Sequence, residues 1–154
     1  MPAFSLDPAE IGAVLFACSM NQVRSPMAAA LLRQRWGGRI FVDSCGLRAA
    51  SEADPFVQAV MDEIGLDVSD HRSKTFDDLE DGSFDLVISL SPEAQHRAVE
   101  LSRGRAVELE YWPTVDPTVV EGSREQRLDA YRRVRDELER RILERFPRQS
   151  GFGG

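Results

Sequence analysis

The chain has 154 residues, 42% of them hydrophobic and 29% charged, a composition that fits one globular domain and excludes a fibrous or disordered protein. Its 26 acidic residues exceed its 19 basic residues, and the net charge of -7 argues against nucleic-acid binding. Two cysteines are too few for a disulfide framework, and no apolar run has the length of a membrane span. Because the first ten residues also lack a secretory-signal pattern, we expect a cytoplasmic protein that does not bind membranes.

The sequence predicts a single domain over residues 11–147, with short tails at 1–10 and 148–154. The run 11–17 is almost wholly apolar and ends abruptly at a polar stretch. Such a run is typical of a strand that is buried on both faces, as in a parallel sheet.

Strands and helices alternate along the rest of the chain. Helices are predicted where apolar residues recur every three or four positions, and strands where short apolar runs lie between turn residues. The predicted elements are a helix from Ser25, as N-cap, to Trp36; strand 39–45; helix 55–64; a short extended segment 66–68; strand 84–90; helix 91–103; strand 106–109; and a long helix with apolar positions from Leu128 to Phe146. This alternation predicts an α/β three-layer sandwich around a mainly parallel sheet.

The stretch from Cys18 to Pro26 carries the chemistry of the sequence. It lies between a buried strand and a helix N-terminus, where unpaired backbone N–H groups and the helix dipole favour a tetrahedral anion. The planar guanidinium of Arg24 can hold two phosphate oxygens, and an anion cradle of this kind favours the thiolate form of Cys18. Ser25 can donate its hydroxyl to that thiolate. Together these groups indicate nucleophilic attack on phosphorus.

A structural interpretation of the same residues is also available. A cysteine at a strand end is commonly an inert core residue, and one Cys-x5-Arg match is weak in a chain with eighteen arginines. The position of the match at a strand-to-helix turn favours the functional interpretation. The second cysteine, Cys45, is predicted to be a buried strand residue, and its distance from Cys18 stays open.

The sequence resembles the low-molecular-weight protein tyrosine phosphatase family. The resemblance spans nearly the whole domain, in family order. Its blocks are Val14 to Cys18, Arg24 to Ala28, Val42-Asp43-Ser44, Asp70-His71-Arg72, Phe84 to Ile88 and Asp116-Pro117. It implies a flavodoxin-like fold with four parallel strands in the order 2-1-3-4, and hydrolysis of phosphate monoesters without a metal or other cofactor.

The resemblance also implies a role for each matched residue. The phosphate-binding loop would consist of Ser19, Met20, Asn21, Gln22, Val23, Arg24 and Ser25. Cys18 would attack phosphorus and form a phosphocysteine, Arg24 would stabilise the transferred oxygens, and Asp116 would act as general acid and then base. Asn21, Ser44 and His71 would support the loop. The position of Asp116 in an irregular, proline-flanked segment independently favours a mobile acid.

The chain departs from the family pattern at several positions around this site. This chain has Met20 where the family usually has glycine, Gln22 where it has an apolar residue, and Val23 where it often has a second cysteine. It also has Ser91 where the family often has an acidic residue, and Thr118 and Val119 where it usually has one or two aromatic residues. The segment 47–51 also lacks the usual aromatic wall, for which Trp112 is a replacement candidate or, alternatively, a buried loop anchor. The substrate, a phosphorylated protein carrying phosphotyrosine or phosphoarginine or else a small phosphate ester, therefore stays open.

Two other functions compete with a phosphatase. An arsenate reductase on the same fold would act on a similar tetrahedral oxyanion, but with Cys45 as the sole other thiol it would need an external thiol. A non-catalytic module could keep the cradle only to bind phosphate or a partner. The presence of Cys18, Arg24 and Asp116 together argues against the module. The sequence predicts no oligomeric state.

Overall fold

Four parallel strands form a sheet in the order β2-β1-β3-β4. The protein is described from a computed structural model, which covers residues 6–79 and 82–147. The strands are β1 (Ala13–Cys18), β2 (Phe41–Gly46), β3 (Leu86–Ser89) and β4 (Glu108–Tyr111). This topology confirms the predicted α/β class, the parallel sheet and the strand order.

The sheet lies between two helical layers. The helices are α1 (Arg24–Trp36), α2 (Pro55–Asp62), α3 (Pro92–Ser102) and α4 (Arg124–Arg145). Helices α1, α2 and α4 pack together over one face of the sheet, and α3 covers the other face. Short 3-10 turns occur at Pro8–Glu10, Phe76–Asp78 and Pro117–Val119.

The alternation of side chains along β1 explains the continuous apolar run of the sequence. Val14 and Phe16 belong to the core on the α1 and α4 side, while Leu15 and Ala17 belong to the core under α3. Because successive strand residues point to opposite faces, a strand covered on both sides needs apolar residues at every position.

Capping side chains fix where the later helices begin. Asp54 accepts the backbone N–H of Phe56 at the start of α2, and Ser91 accepts that of Ala94 at the start of α3. A capping box between Ser123 and Gln126 opens α4. Each cap satisfies N–H groups that a helix leaves unpaired, so these starts depend on local sequence.

Three details differ from the sequence prediction. Helix α1 begins at Arg24, so Ser25 lies inside it and uses its hydroxyl for contacts with Cys18 and Asn21 rather than as a cap. The segment 66–68, predicted as a short strand or extended segment, forms no strand, and an isolated parallel bridge joins Gly46 of β2 to Thr75. Strand β4 begins at Glu108 and runs to Tyr111, two residues later than predicted.

The N-terminal segment contacts the sheet. Leu6 packs against the main core, and its backbone N–H donates to the Glu108 carboxylate at 3.0 Å. Residues 1–5 and the predicted tail 148–154 lie outside the described residues, and the predicted domain boundaries remain a prediction. Among the described helices, none combines the length and hydropathy needed to cross a membrane.

Candidate active site

The candidate site lies at the carboxyl edge of the sheet. Cys18 ends β1, the loop with Asp116 follows β4, and the strand order reverses between β1 and β3. Loops from adjacent strands separate at such a reversal and leave a crevice for a ligand. The topology therefore places the predicted nucleophile at the position where this class of fold binds its ligands.

The loop from Cys18 to Ser25, here called the phosphate loop, turns its carbonyl groups outward. The Ser19 carbonyl accepts the backbone N–H groups of Leu47 (2.9 Å) and Arg48 (3.0 Å), and the Met20 carbonyl accepts that of Ala50 (3.3 Å). Since the N–H and C=O of a peptide unit point in opposite directions, the loop N–H groups face the inner side. This arrangement suits a bound tetrahedral anion.

Asn21 holds the shape of the phosphate loop. Its φ is 53°, in the left-handed region that asparagine tolerates better than most residues. The fully buried side-chain amide donates to Ser25 Oγ and Ser44 Oγ, both at 2.9 Å, while Oδ1 accepts the Lys74 N–H at 2.9 Å. These three bonds join the loop to β2 and to the segment that follows α2.

The backbone carbonyl of Asn21 is bound as tightly as its side chain. His71 Nε2 and Ser73 Oγ both donate to it at 2.8 Å. Because a carbonyl only accepts, Nε2 carries the proton of the neutral His71 ring. Burial holds the pKa of His71 below its ordinary value, and the charges of Arg33 and Lys74 lower it further, against the opposing hydrogen bond to Asn21.

Cys18 lies at the bottom of the phosphate loop and is almost fully buried. Its Sγ is 2.9 Å from Ser25 Oγ. Ser25 Oγ accepts a hydrogen bond from Asn21, and its own proton has two acceptors within reach, the Cys18 sulfur and the Cys45 carbonyl at 3.4 Å, of which the sulfur is nearer. The contact can therefore stabilise a thiolate at Cys18.

Gly46, at the end of β2, makes room for the phosphate loop. A Cβ at this position would lie 2.7 Å from the Asn21 nitrogen and 2.9 Å from the Met20 carbonyl carbon. Glycine is thus required by close backbone approach. The sequence analysis missed this residue, although a glycine directly after a predicted strand was a signal for such an approach.

Arg24 connects the phosphate loop to the segment that carries Asp116. Its buried guanidinium donates from Nη1 to the Thr114 carbonyl at 2.9 Å. Guanidinium has five donors, so this bond leaves others for an anion held in the loop. The link brings two predicted site residues, far apart in sequence, to one crevice.

Asp116 lies in a loop of residues 112–119, here called the acid loop. Its Oδ1 accepts the backbone N–H (3.0 Å) and the hydroxyl (2.7 Å) of Thr118, and the residue is partly exposed. Trp112 anchors the start of the loop, because it is buried and meets Phe16 edge-on with ring centroids 6.0 Å apart. Trp112 is therefore a loop anchor and not an aromatic wall.

Comparison with known proteins agrees with this geometry. The family model for low molecular weight phosphotyrosine protein phosphatase matches residues 13–148 of the chain. The chain belongs to this family. The match confirms the resemblance that the motifs at Cys18, Ser44, His71 and Asp116 predicted.

Relatives within this family carry more than one kind of name. A glutaredoxin arsenate reductase of Synechocystis sp. is 32% identical over 129 residues, covering 84% of this chain and 92% of the relative. A probable low molecular weight protein-tyrosine-phosphatase, EpsP, of Ralstonia nicotianae is 35% identical over 115 residues, covering 70% and 79% respectively. The solved arginine phosphatase YwlE of Geobacillus stearothermophilus is 28% identical with a TM-score of 0.71, covering 87% of this chain and 89% of that chain.

The remaining residues of the phosphate loop differ in their contacts and in their exposure to solvent. Ser19 Oγ donates to Ser91 Oγ at 3.1 Å, and Gln22 Nε2 donates to the Glu52 carbonyl at 2.9 Å. Met20 is 40% exposed at the rim, whereas Val23 is buried. The loop thus contacts the segment before α2 on one side and the start of α3 on the other.

Cys45 does not share the surroundings of Cys18. It is fully buried in the core under α3, while Cys18 belongs to the core on the opposite face of the sheet, and both thiols are free. Burial, first, and then the charges of Cys18 and Asp43 raise the pKa of the Cys45 thiol far above its ordinary value. The prediction of a core cysteine is confirmed. Within residues 6–79 and 82–147, no three His, Cys, Asp or Glu side chains come together as a metal site.

Proposed function

We propose that this chain hydrolyses phosphate monoesters through a phosphocysteine at Cys18. The observation that carries the proposal is the bond from Arg24 to the Thr114 carbonyl. It joins a loop with the form of an anion cradle to the segment that presents a carboxyl group two residues later. This proximity supports a site in which Cys18 is the nucleophile, Arg24 binds the anion and Asp116 donates the proton, the set that phosphoryl transfer requires.

In the first step, the Cys18 thiolate attacks phosphorus in line with the ester oxygen. The S–P bond forms as the P–O bond to the leaving group breaks. Protonated Asp116 gives its proton to the departing oxygen, and Arg24 with the loop N–H groups stabilises the equatorial oxygens. Ser25, 2.9 Å from the sulfur, stabilises the thiolate before attack.

In the second step, water attacks the phosphocysteine and releases inorganic phosphate. The Asp116 carboxylate takes a proton from the water as its oxygen bonds to phosphorus and the S–P bond breaks. The Cys18 thiolate then regains its contact with Ser25. Asp116 ends the cycle protonated, so no external proton or electron is consumed.

The proposed substrate is a phosphorylated protein, and the proposed location is the cytoplasm. Phosphorylated protein side chains, phosphotyrosine among them, fit a site whose rim is open and partly apolar. A cytoplasmic location fits a nucleophilic thiol that must stay reduced, because cytosolic thiol systems keep such groups free.

Hydrolysis of p-nitrophenyl phosphate by Cys18→Ser and wild-type protein tests the proposal. The serine variant should lose ~10⁴-fold or more of the activity, since a neutral hydroxyl is a poor nucleophile without a general base. Cys45→Ala is the matched control, because it removes a thiol from the opposite face of the sheet. Wild-type activity no higher than that of Cys18→Ser would contradict the proposal.

Arsenate reduction is the second candidate, favoured by the 32% identity to a glutaredoxin arsenate reductase. Cys45 is buried and resists ionisation, so the structure offers no internal thiol to relay electrons among its described residues. A reductase of this chain would need an external thiol such as glutathione. Arsenate turnover with that thiol, in the absence of phosphate-ester hydrolysis, would favour this candidate.

A further inference from the structure

Two arginines at the start of α4 lack the ion pairs made by most other arginines of this helix. The paired arginines of α4 are Arg132, Arg135, Arg140, Arg141 and Arg145. Arg124 and Arg127, here called the arginine pair, have no carboxylate partner within the described part of the chain, and both are exposed. Positive charge in a first helical turn opposes the helix dipole, so helix stability does not explain them.

The arginine pair is held in place by an aromatic ring. The guanidinium carbons of Arg127 and Arg124 lie 4.7 Å and 5.8 Å from the centroid of the Phe56 ring. Phe56 in turn meets Tyr131 edge-on, with centroids 5.3 Å apart. Stacking of this kind orients a guanidinium while leaving its N–H donors free for an anion.

This cluster borders the candidate active site. Tyr131 donates its hydroxyl to Asp54 Oδ2 at 2.6 Å. Burial and Asp54 raise the pKa of Tyr131, while the nearby charge of Arg127 lowers it and that of Asp116 raises it. Helix α4 also packs against the 3-10 turn Pro117–Val119, which directly follows Asp116, so the helix that carries the arginine pair contacts the acid loop.

A second path joins the arginine pair to the phosphate loop. Gln22 donates to the Glu52 carbonyl, two residues before Asp54, and Asp54 caps the helix that carries Phe56. The phosphate loop, the segment 50–54 and the start of α4 are thus consecutive layers at one side of the crevice.

Carboxylates close to the arginine pair are engaged by other groups. Both oxygens of Asp54 are in use, Oδ1 by the Phe56 N–H and Oδ2 by the Tyr131 hydroxyl. Glu125 forms its ion pair with Arg132 at 2.7 Å. Neither carboxylate forms an ion pair with Arg124 or Arg127, so the donors of the arginine pair stay available to a ligand.

The rest of the rim is apolar and shallow. Val115 and Val119, on either side of Asp116, are 75% and 72% exposed, and Met20 in the phosphate loop is 40% exposed. Apolar side chains beside a phosphate site suit contact with a peptide better than contact with a small hydrated ester.

We infer that the arginine pair binds a second negative charge on the substrate, namely an acidic side chain close to the phosphorylated residue of a protein. This inference rests on the proposed function and narrows its substrate class. Phosphate in the loop and carboxylate at Arg124 and Arg127 would fix the direction in which the peptide crosses the acid loop.

The test compares phosphotyrosine peptides that carry one glutamate, glutamine or lysine at successive positions on either side of the phosphorylated residue. Wild-type protein should prefer the best-placed glutamate over glutamine by roughly three- to tenfold in kcat/KM at low salt, and less at high salt. In the double variant Arg124→Gln/Arg127→Gln the preference should disappear. Arg127→Glu should favour the lysine peptide instead.

Arg133→Gln is the matched control. Arg133 is an exposed α4 arginine with no ion pair and no cation–π contact with Phe56 among the described residues. Its loss removes one positive charge from the same helix, half of the change in the double variant. Hydrolysis of p-nitrophenyl phosphate should be the same in all these variants, since that ester does not reach the arginine pair. An equal preference for glutamate in wild type and double variant, or none in wild type, would overturn the inference.

Two further measurements separate the possible failures. The first is the affinity of the inactive Cys18→Ser variant for the same peptides, which measures the contribution of the arginine pair to binding without turnover. Absence of hydrolysis together with an Arg-dependent glutamate preference in binding would refute the proposed function while supporting the subsite. The second is the ratio of kcat/KM between wild type and the double variant for a small ester with two phosphates. This ratio should be smaller than for the acidic peptide, and a larger ratio would overturn the assignment to a protein substrate.

Discussion

The phosphate loop and the acid loop face the same crevice but are built in different ways. The first is buried except at Ser19, Met20 and Gln22, and hydrogen bonds hold it to several neighbouring segments, with Asn21 alone making five of them. The second leaves Asp116 partly exposed between two exposed valines. Its tip is held by the contacts of Asp116 with Thr118, by buried Pro117 and by packing of the turn Pro117–Val119 against α4. The phosphate loop therefore has more hydrogen-bond partners, and the acid loop presents more of its side chains to solvent.

We expect the two loops to have different functions: the phosphate loop binds the phosphate group, and the acid loop protonates the leaving group. A substitution in the phosphate loop should disturb stability and every substrate alike, because the anion cradle is shared by all phosphate esters. A substitution in the acid loop should leave the fold intact and act according to the leaving group. The four predictions below test this division, from the largest expected effect to the smallest.

Asp116→Ala should reduce the rate on alkyl phosphates by ~10²–10⁴-fold, because a poor leaving oxygen needs a proton as its bond to phosphorus breaks. p-Nitrophenolate leaves without that help, so its ester should lose less. Steady-state kinetics on both esters measures the ratio, and thermal unfolding should shift by only a few degrees. Full activity of the variant on an alkyl phosphate would assign the proton to another group.

Asn21→Ala should lower the free energy of unfolding by about 3–4 kcal/mol. It removes three buried side-chain hydrogen bonds and places a residue with Cβ in the left-handed region. Asn21→Gly, which keeps the backbone freedom, should lose about 1 kcal/mol less. Urea unfolding measures both, and equal losses would show that the φ of 53° carries no cost.

Gly46→Ala should destabilise the fold by about 1–3 kcal/mol and reduce activity on all esters alike. Its Cβ meets backbone atoms of the phosphate loop, which cannot move aside as a flexible side chain could. Gly38→Ala is the control, since a Cβ there meets nothing within 4 Å and should change stability by less than about 0.5 kcal/mol. Similar unfolding midpoints for the two variants would contradict the packing argument.

His71 should give the smallest effect, visible as a pH dependence. Its pKa in the folded chain lies below the ordinary value of 6.5, so the folded state disfavours the imidazolium form. The stabilising contribution of neutral His71 is present above pH 6.5 and is lost as the pH falls toward the lower folded pKa. Urea midpoints of His71→Gln should therefore fall less than those of wild type between neutral and mildly acidic pH. Parallel curves would assign the pH dependence to other groups.

Contiguous features of the site could be predicted from the sequence. Cys18, Arg24 and Ser25 lie within eight residues, so their chemistry and the strand-to-helix turn appear in one motif. Trp112 and Cys45 were also interpretable, because a large aromatic on a loop and a lone strand cysteine are both commonly buried.

Long-range features could not be predicted in this way. Tyr131 and Asp54 are 77 positions apart, and their hydrogen bond depends on how α4 packs against α2. The arginine pair could not be singled out in the sequence, because the spacing of charged residues along α4 does not reveal which guanidinium groups contact Phe56. The misplaced start of α1 has a related cause, since Ser25 has the typical identity of a cap but its hydroxyl serves Cys18 and Asn21.

The acid loop is attached to the domain through main-chain atoms. The Thr114 carbonyl accepts Arg24, the Thr114 N–H donates to the Leu90 carbonyl, and the Trp112 N–H donates to the Ser89 carbonyl. Any residue at position 114 supplies the carbonyl that Arg24 binds, and any except proline supplies the N–H, while the Thr114 hydroxyl adds a bond to the Trp112 carbonyl. Substitutions at Thr118 and Val119 would therefore change the surface beside Asp116 while leaving the main-chain bonds from residues 112 and 114 in place.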